Sequence, residues 1–219
     1  MDSNMDIADI VAFWRGQQKA DAHGRWTHQI DQDVLGTGPH SFNLDHPVSP
    51  YIGDVLIAPV IILNANAGYN PVQTPTEFPD APSVSAYTAR VDDPSGSDWS
   101  FVSRYYNDTN YGHLVASGKV VVVNACAYRS PRISDKNEAD NRAMIKRLPS
   151  SIMMRRWLLE AILPIAAKGH RLIINNRGQH WRLGHAAPAP GIVRDPCPAS
   201  PRITSTALSA MNDFLGNRA

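Results

Sequence analysis

The sequence predicts an α/β fold, a three-layer α/β/α sandwich around a central, mostly parallel sheet of four or five strands. Apolar runs rich in β-branched residues, at 55–63, 120–123 and 172–174, are typical of strands buried on both faces. Segments with helical spacing of apolar residues lie between and beside these runs. No repeat or linker divides the 219 residues, so a single domain is expected to cover 1–219.

The composition is that of a folded protein, with 43% hydrophobic and 19% charged residues. No apolar run approaches the roughly 18 residues that cross a bilayer, and the acidic N-terminus is unlike a signal peptide. A cytoplasmic protein without a membrane partner is therefore expected. A net charge of +1 means that nucleic-acid binding would need a local basic patch. Cys126 and Cys197 lack the spacing of a metal centre, so neither a metal nor another cofactor is predicted.

Two segments precede the first strand. Residues 6–22 carry Ile7, Ile10, Val11 and Trp14 at helical spacing, which predicts an amphipathic N-terminal helix on the core. Residues 23–50 lose this periodicity among glycines and prolines, which predicts an irregular segment over the domain.

The first buried strand is followed by an asparagine-rich stretch. Asn64, Asn66 and Gly68 alternate with small residues and precede Tyr69. This pattern predicts a loop at the carboxyl end of the strand, where open α/β sheets place their sites. Short amides can orient a water or a base edge, and Tyr69 offers an aromatic face. The alternative is a turn without chemistry.

Prolines shape the segment that follows. Pro75, Pro79, Pro82 and Pro94 predict that residues 73–94 form no long helix and act as a lid or insertion. Ser97 or Asp98 is then expected to cap a helix through residues 99–106 that packs on the core.

The second buried run repeats the pattern of the first. It ends in Asn124 and small residues, so parallel pairing would bring Asn124 to the same sheet edge as the first loop. An amide carries both a donor and an acceptor, which matches the imide edge of a pyrimidine. The alternative is an asparagine that closes a strand-end turn.

The most basic part of the chain is residues 129–156, where eight basic residues against three acidic ones leave +5. It begins with Arg129, Ser130 and Arg132 in a Ser/Pro loop, a composition that suits phosphate binding. The alternative is a solvated helix face. Ser150 or Ser151 is then expected to cap a strong helix that ends at Gly169.

The last third predicts a strand at 171–176, a short strand at 191–194, a rigid loop at 195–201 and a final helix from Thr204 or Ser205. His180 lies just past the end of the first of these strands, a position suited to acid–base work. A surface role for His180 is the alternative.

These motifs, in this order, resemble the uracil-DNA glycosylase superfamily over residues 53–215. Asn66-Ala67-Gly68 resembles the Asn-Pro-Gly motif of its mismatch-specific and single-strand-selective branches, which implies that Asn66 positions the attacking water. The strand ending in Asn124 resembles the strand whose asparagine reads the base. The loop from Asp195 resembles the family's His-Pro-Ser-Pro loop. Ala67 replaces the family's proline and Asp195 its histidine, and no aspartate lies in the first loop.

Three hypotheses follow for the function. The first is a DNA glycosylase-like enzyme that hydrolyses or recognises a damaged or deaminated base, with DNA favoured over RNA as the partner. The second is a non-catalytic module of the same fold that binds nucleic acid or a nucleotide. The third is a site for another small molecule, with His180 as the base. The predicted catalytic residues are Asn66 and His180, and the predicted substrate-binding residues are Asn64, Gly68, Tyr69, Asn124, Tyr128, Arg129, Ser130, Arg132, Asp195 and Ser200.

Overall fold

The computed structural model describes residues 5–17, 20–99, 104–131, 133, 139–183, 189–196 and 202–218. These residues form one five-stranded sheet in the order β1-β3-β2-β4-β5. The strands are β1 (Tyr51–Ile52), β2 (Val60–Gly68), β3 (Val120–Ser130), β4 (Leu172–Asn175) and β5 (Ile192–Arg194). Only β1 is antiparallel to its neighbour, and the other pairs are parallel. The predicted α/β class with a mostly parallel sheet is confirmed.

The central strands differ from the prediction in their bounds: β2 begins at Val60 and not at Val55, because residues 55–57 form a turn, and β3 continues through Ser130. All eleven residues of β3 are buried, and side chains of successive strand residues point to opposite faces, so both faces of this strand are covered. Asn64 of β2 pairs with Asn124 of β3, and Asn66 pairs with Cys126. The register then shifts, so that Gly68 pairs with Ser130. The predicted loop from Asn64 is therefore strand up to Gly68. Asn124 lies inside β3 and not at its end, because the backbone ladder continues through Ser130.

Helices surround the sheet. They are α1 (Asp9–Trp14), α2 (Gln32–Leu35), α3 (Thr74–Glu77), α4 (Ala81–Asp92), α5 (Arg104–Asn107), α6 (Gly112–Ala116), α7 (Ala139–Arg147), α8 (Pro149–Trp157), α9 (Leu163–Ala167), α10 (Gly178–Trp181) and α11 (Ser205–Gly216). A 3₁₀ turn precedes α2 at Gln29–Asp31, and a π-helical turn joins α8 to α9 at Leu158–Ile162. None of the helices in the described ranges is long and apolar enough to traverse a bilayer.

The prediction that residues 73–94 hold no long helix is wrong. The twelve-residue helix α4 starts there because Asp80 caps it, accepting a hydrogen bond from the Ser83 amide at 2.8 Å. Pro82 lies within its first turn, where a missing amide hydrogen costs nothing. Pro94 follows its end. Proline therefore marks the limits of this helix and does not interrupt it.

The start of α8 differs from the prediction in its cap. Neither Ser150 nor Ser151 caps the helix: the N-cap position is Leu148, and no side-chain cap hydrogen bond forms there. The Ser150 amide instead donates to Asp31 Oδ1 at 2.9 Å, across 119 positions of sequence. The cap of α11 is as predicted, since Thr204 accepts from the Ala207 amide at 3.2 Å.

Candidate functional site

The carboxyl end of β2 holds Asn66 in a fixed orientation. Its Nδ2 donates to the Tyr128 carbonyl at 3.1 Å and to Ser130 Oγ at 2.9 Å. The side chain is largely buried, with 9% relative exposure. Because both bonds use the nitrogen, the Oδ1 end of the amide is left as the acceptor for a water or a ligand group.

The loop after β4 brings His180 against the same strand. His180 lies in α10, whose Trp181 donates from Nε1 to the Asn64 carbonyl at 2.8 Å. The charged groups that influence His180 are Arg142, Arg177 and Arg155. Burial and these three guanidinium groups lower the pKa of His180 from 6.5 to about 4. At neutral pH the imidazole is therefore uncharged, and its Nε2 lies 3.2 Å from Gln179 Nε2.

The three arginines that lower the pKa of His180 belong to different elements. Arg142 is an exposed residue of α7 and donates from Nε to the Ile133 carbonyl at 3.0 Å. Arg177 is partly buried after β4 and donates to Asn176 Oδ1 at 3.0 Å. Arg155 lies in α8 and is 6% exposed. Guanidinium groups match phosphate and carboxylate oxygens in a bidentate geometry, so the site is chemically suited to an anion.

We expect the His180 environment to make stability depend on pH between about 6.5 and about 4. Because the pKa of His180 is lower in the folded state, the unfolded chain takes up the proton first as the pH falls. The free energy of unfolding should therefore decrease as the pH is lowered across this window. Above the window His180 should make no pH-dependent contribution. His180→Gln should flatten the profile, measured by urea unfolding at several pH values. His170→Gln, at an exposed histidine, is the control, and an equal effect of both variants would contradict the assignment.

Three predicted binding residues lie beside Asn66. Asn64 is half-buried and donates from Nδ2 to the Asn66 carbonyl at 3.2 Å. Gly68 pairs with Ser130, whose carbonyl accepts from the Tyr69 amide at 3.0 Å. Tyr69 is half-buried, with its ring 6.2 Å from that of His46. The structure thus places Asn64, Asn66, Gly68, Tyr69 and Ser130 around one strand end, and their functional roles stay predictions.

Two predicted binding residues of β3 are directed into the protein. Asn124 is fully buried and donates from Nδ2 to the Ser49 carbonyl at 2.7 Å. Tyr128 is 1% exposed, and its hydroxyl donates to Asp31 Oδ2 at 2.6 Å. Neither side chain is presented at the strand-end surface, since the strand runs on beyond Asn124 and the tyrosine hydroxyl is used in the core.

Arg129 is also engaged inside the protein. It is 2% exposed and forms a salt bridge from Nη1 to Glu77 Oε2 at 3.4 Å. Its guanidinium carbon lies 5.2 Å from the centroid of the Phe78 ring. The predicted phosphate contact by Arg129 would require α3 to move, because the carboxylate of Glu77, in α3, already pairs with the guanidinium group.

Asp195 is engaged in holding another part of the chain. Asp195 follows β5, is 1% exposed and accepts from the Thr204 amide at 3.2 Å, so it holds the chain that leads into α11. Arg132 and Ser200 lie outside the described residues. Among the residues that the structure describes, no group of three or more histidine, cysteine or acidic side chains is arranged to hold a metal ion.

Sequence reasoning missed the influence of three arginines on the pKa of His180. Arg142 and Arg155 belong to the basic stretch that the sequence highlights, but their influence on His180 depends on how α7, α8 and the segment after β4 pack. A basic residue shortly after a buried strand, as Arg177 is two positions after β4, is the signal that could have indicated it.

Comparisons with protein-family models, with curated proteins and with solved structures find no match to this chain.

Proposed function

We propose that the protein binds a phosphate-bearing nucleobase ligand, a nucleotide or a single-stranded stretch of DNA, at the carboxyl end of β2. The observation that carries this proposal is the fixed amide of Asn66 at the strand end, and it is supported by the positive charge of Arg142, Arg155 and Arg177, which lowers the pKa of His180. An anionic ligand would offset the mutual repulsion of these groups. It would also raise the pKa of His180, so binding below neutral pH should be accompanied by proton uptake.

The neighbouring polar groups suit the rest of such a ligand. Asn66 Oδ1 is an acceptor at the strand end, and the half-buried ring of Tyr69 is close to it along the chain. The proposal requires a base or sugar at these groups and a phosphate at the arginines. The proposed assembly needs neither Asn124 nor Arg129, which are directed into the core.

Fluorescence anisotropy with a labelled dT12 oligonucleotide and with a labelled mononucleotide tests this proposal. Arg142→Ala and Arg177→Ala should each weaken binding about tenfold, since a hydrogen bond to a charged group contributes about 1.5–3 kcal/mol. Each variant should also reduce the slope of log K against log salt by about 1. Lys119→Ala and Lys168→Ala remove the same charge from exposed positions before β3 and β4 and should bind like the wild type. Equal weakening by all four variants, or no binding at all, would overturn the proposal.

A second candidate is hydrolysis of an N-glycosidic bond, which the fixed amide of Asn66 favours. An amide held by two hydrogen bonds can orient a water without losing further side-chain entropy. We expect Asn66→Ala to lower base release by about 100-fold or more, the usual contribution of a positioned catalytic group.

This second candidate is tested by measuring free base released from oligonucleotides that carry uracil, hypoxanthine, xanthine or mismatched thymine. Asn217→Ala, at an exposed asparagine after α11, is the control and should release base like the wild type. Oligonucleotide binding without any release would leave the binding function and remove the enzymatic one.

A further inference from the structure

A groove of about 300 Å³ lies beside α8, next to α10. It is lined by Lys146, Ile152, Arg155, Arg156, Leu159, Glu160, Trp181 and Arg182. Trp181 connects it to the strand-end site through the hydrogen bond to Asn64. The groove shares Arg155 with the strand-end site, but its walls include none of Asn66, His180, Arg142 and Arg177.

One wall of the groove is a helical stripe that combines aliphatic and cationic side chains. Ile152, Arg155, Arg156 and Leu159 follow the spacing i, i+3, i+4, i+7, which places them on one side of a helix. Ile152 and Leu159 are each 50% exposed, among the most exposed large apolar side chains of the described residues. Two aliphatic side chains at the ends of one stripe are suited to an apolar anchor that lies between them.

The charge of the groove is strongly positive. Glu160 is paired with Arg156 at 2.8 Å. Lys146, Arg155 and Arg182 form no salt bridge with any residue that the structure describes. Arg155 is 6% exposed, and its Nη2 has no hydrogen-bond partner among the residues that the structure describes. A largely buried guanidinium without an anion is costly, and a carboxylate supplied from outside would offset that cost.

Arg182 holds its place on the rim in an unfavourable backbone conformation. Its φ of 56° is the one positive value of a non-glycine residue in the described ranges. Glycine is the usual residue at such a helix end, since it carries no Cβ. The presence of arginine there therefore puts a positive charge on the rim at the expense of local stability.

We propose that this groove binds an acidic peptide segment of a partner protein, with an apolar side chain between Ile152 and Leu159 and carboxylates facing Lys146, Arg155 and Arg182. Surfaces that bind single-stranded nucleic acid present aromatic faces on which bases stack. Here the aromatic residue of the groove, Trp181, is fully buried, and the exposed apolar groups are aliphatic. The combination of aliphatic side chains with unpaired cations therefore favours an acidic, amphipathic peptide.

The test begins with selection of random twelve-residue peptides on the immobilised full-length chain. Enrichment of peptides that combine Asp or Glu with a large apolar residue is expected. The most enriched peptide is then synthesised with a fluorescent label and titrated by anisotropy. Ile152→Ser and Arg182→Gly should each weaken its binding at least tenfold, and Arg182→Gly should unfold at the same or a higher temperature than the wild type. Val72→Ser, at a side chain that is 76% exposed elsewhere, is the matched control.

The outcomes separate this groove from the strand-end site. Arg177 lies outside the groove, and Ile152 and Arg182 are not among the groups of the strand-end site. Arg177→Ala should therefore leave peptide binding unchanged, and these variants distinguish failure of one proposal from failure of the other although Arg155 is common to both sites. Selected peptides without acidic residues, or equal binding by the groove variants and the control, would overturn the inference. It would also be overturned if Ile152→Ser and Arg182→Gly weakened binding of the dT12 oligonucleotide and no peptide were enriched, which would assign the groove to nucleic acid.

Discussion

Asp31→Ala is expected to lower the free energy of unfolding by about 2–6 kcal/mol, because it leaves two buried donors without an acceptor at about 1–3 kcal/mol each. The carboxylate is fully buried. It accepts from the Tyr128 hydroxyl at 2.6 Å and from the Ser150 amide at 2.9 Å. These bonds tie the 3₁₀ turn at Gln29–Asp31 to both β3 and the start of α8.

The Ser150 bond also places a negative charge at a helix N-terminus. Leu148, at the position before α8, offers no side-chain cap. The Asp31 carboxylate therefore interacts with the partial positive charge of the first turn. It takes the role that a serine or aspartate at the N-cap position has in other helices. Urea unfolding followed by circular dichroism measures the loss.

Two variants show whether this loss comes from Asp31 as an acceptor. Asp31→Asn keeps one oxygen for the Ser150 amide and should lose less stability than Asp31→Ala. Tyr128→Phe removes the other end of the hydroxyl bond. In the double variant Asp31→Ala/Tyr128→Phe, the two effects should fall short of additivity by about 1–2 kcal/mol, as expected for groups in contact. Full additivity would show that the hydroxyl bond contributes nothing.

The fold could be predicted from the sequence where residue pattern alone determines structure. The valine run of β3 and the isoleucines of β2 and β4 have few alternatives to a buried parallel sheet. The ends of β2 and β3 could not be predicted from composition. Asn64, Asn66 and Asn124 are poor strand residues, but pairing between neighbouring strands overrides their local preference.

The candidate site could be predicted only where it depends on strand order. Asn66 and Ser130 meet because β2 and β3 are parallel and end at the same edge, as inferred from their similar sequences. Asp31 could not be predicted, since nothing local marks it as the cap of a helix 119 positions later. Long-range polar contacts of this kind leave no periodic signal in one sequence.

The ion pair between Glu77 and Arg129 should have the second large effect on stability. The two side chains are 7% and 2% exposed and lie 3.4 Å apart. Glu77→Ala leaves the Arg129 guanidinium buried without its anion. Removal of one partner of a buried pair costs about 3–5 kcal/mol. Urea unfolding should show this loss.

The double variant Glu77→Leu/Arg129→Met is the decisive control for this pair. Replacing both charges by apolar side chains of similar size removes the desolvation cost together with the attraction, so stability should return close to that of the wild type. The same variant tests the sequence-based role of Arg129 in phosphate binding. Because Arg129 is enclosed by Glu77 and Phe78, the double variant should bind the dT12 oligonucleotide like the wild type. A tenfold loss of oligonucleotide binding in a stably folded double variant would instead mean that α3 moves aside and that Arg129 contacts the ligand.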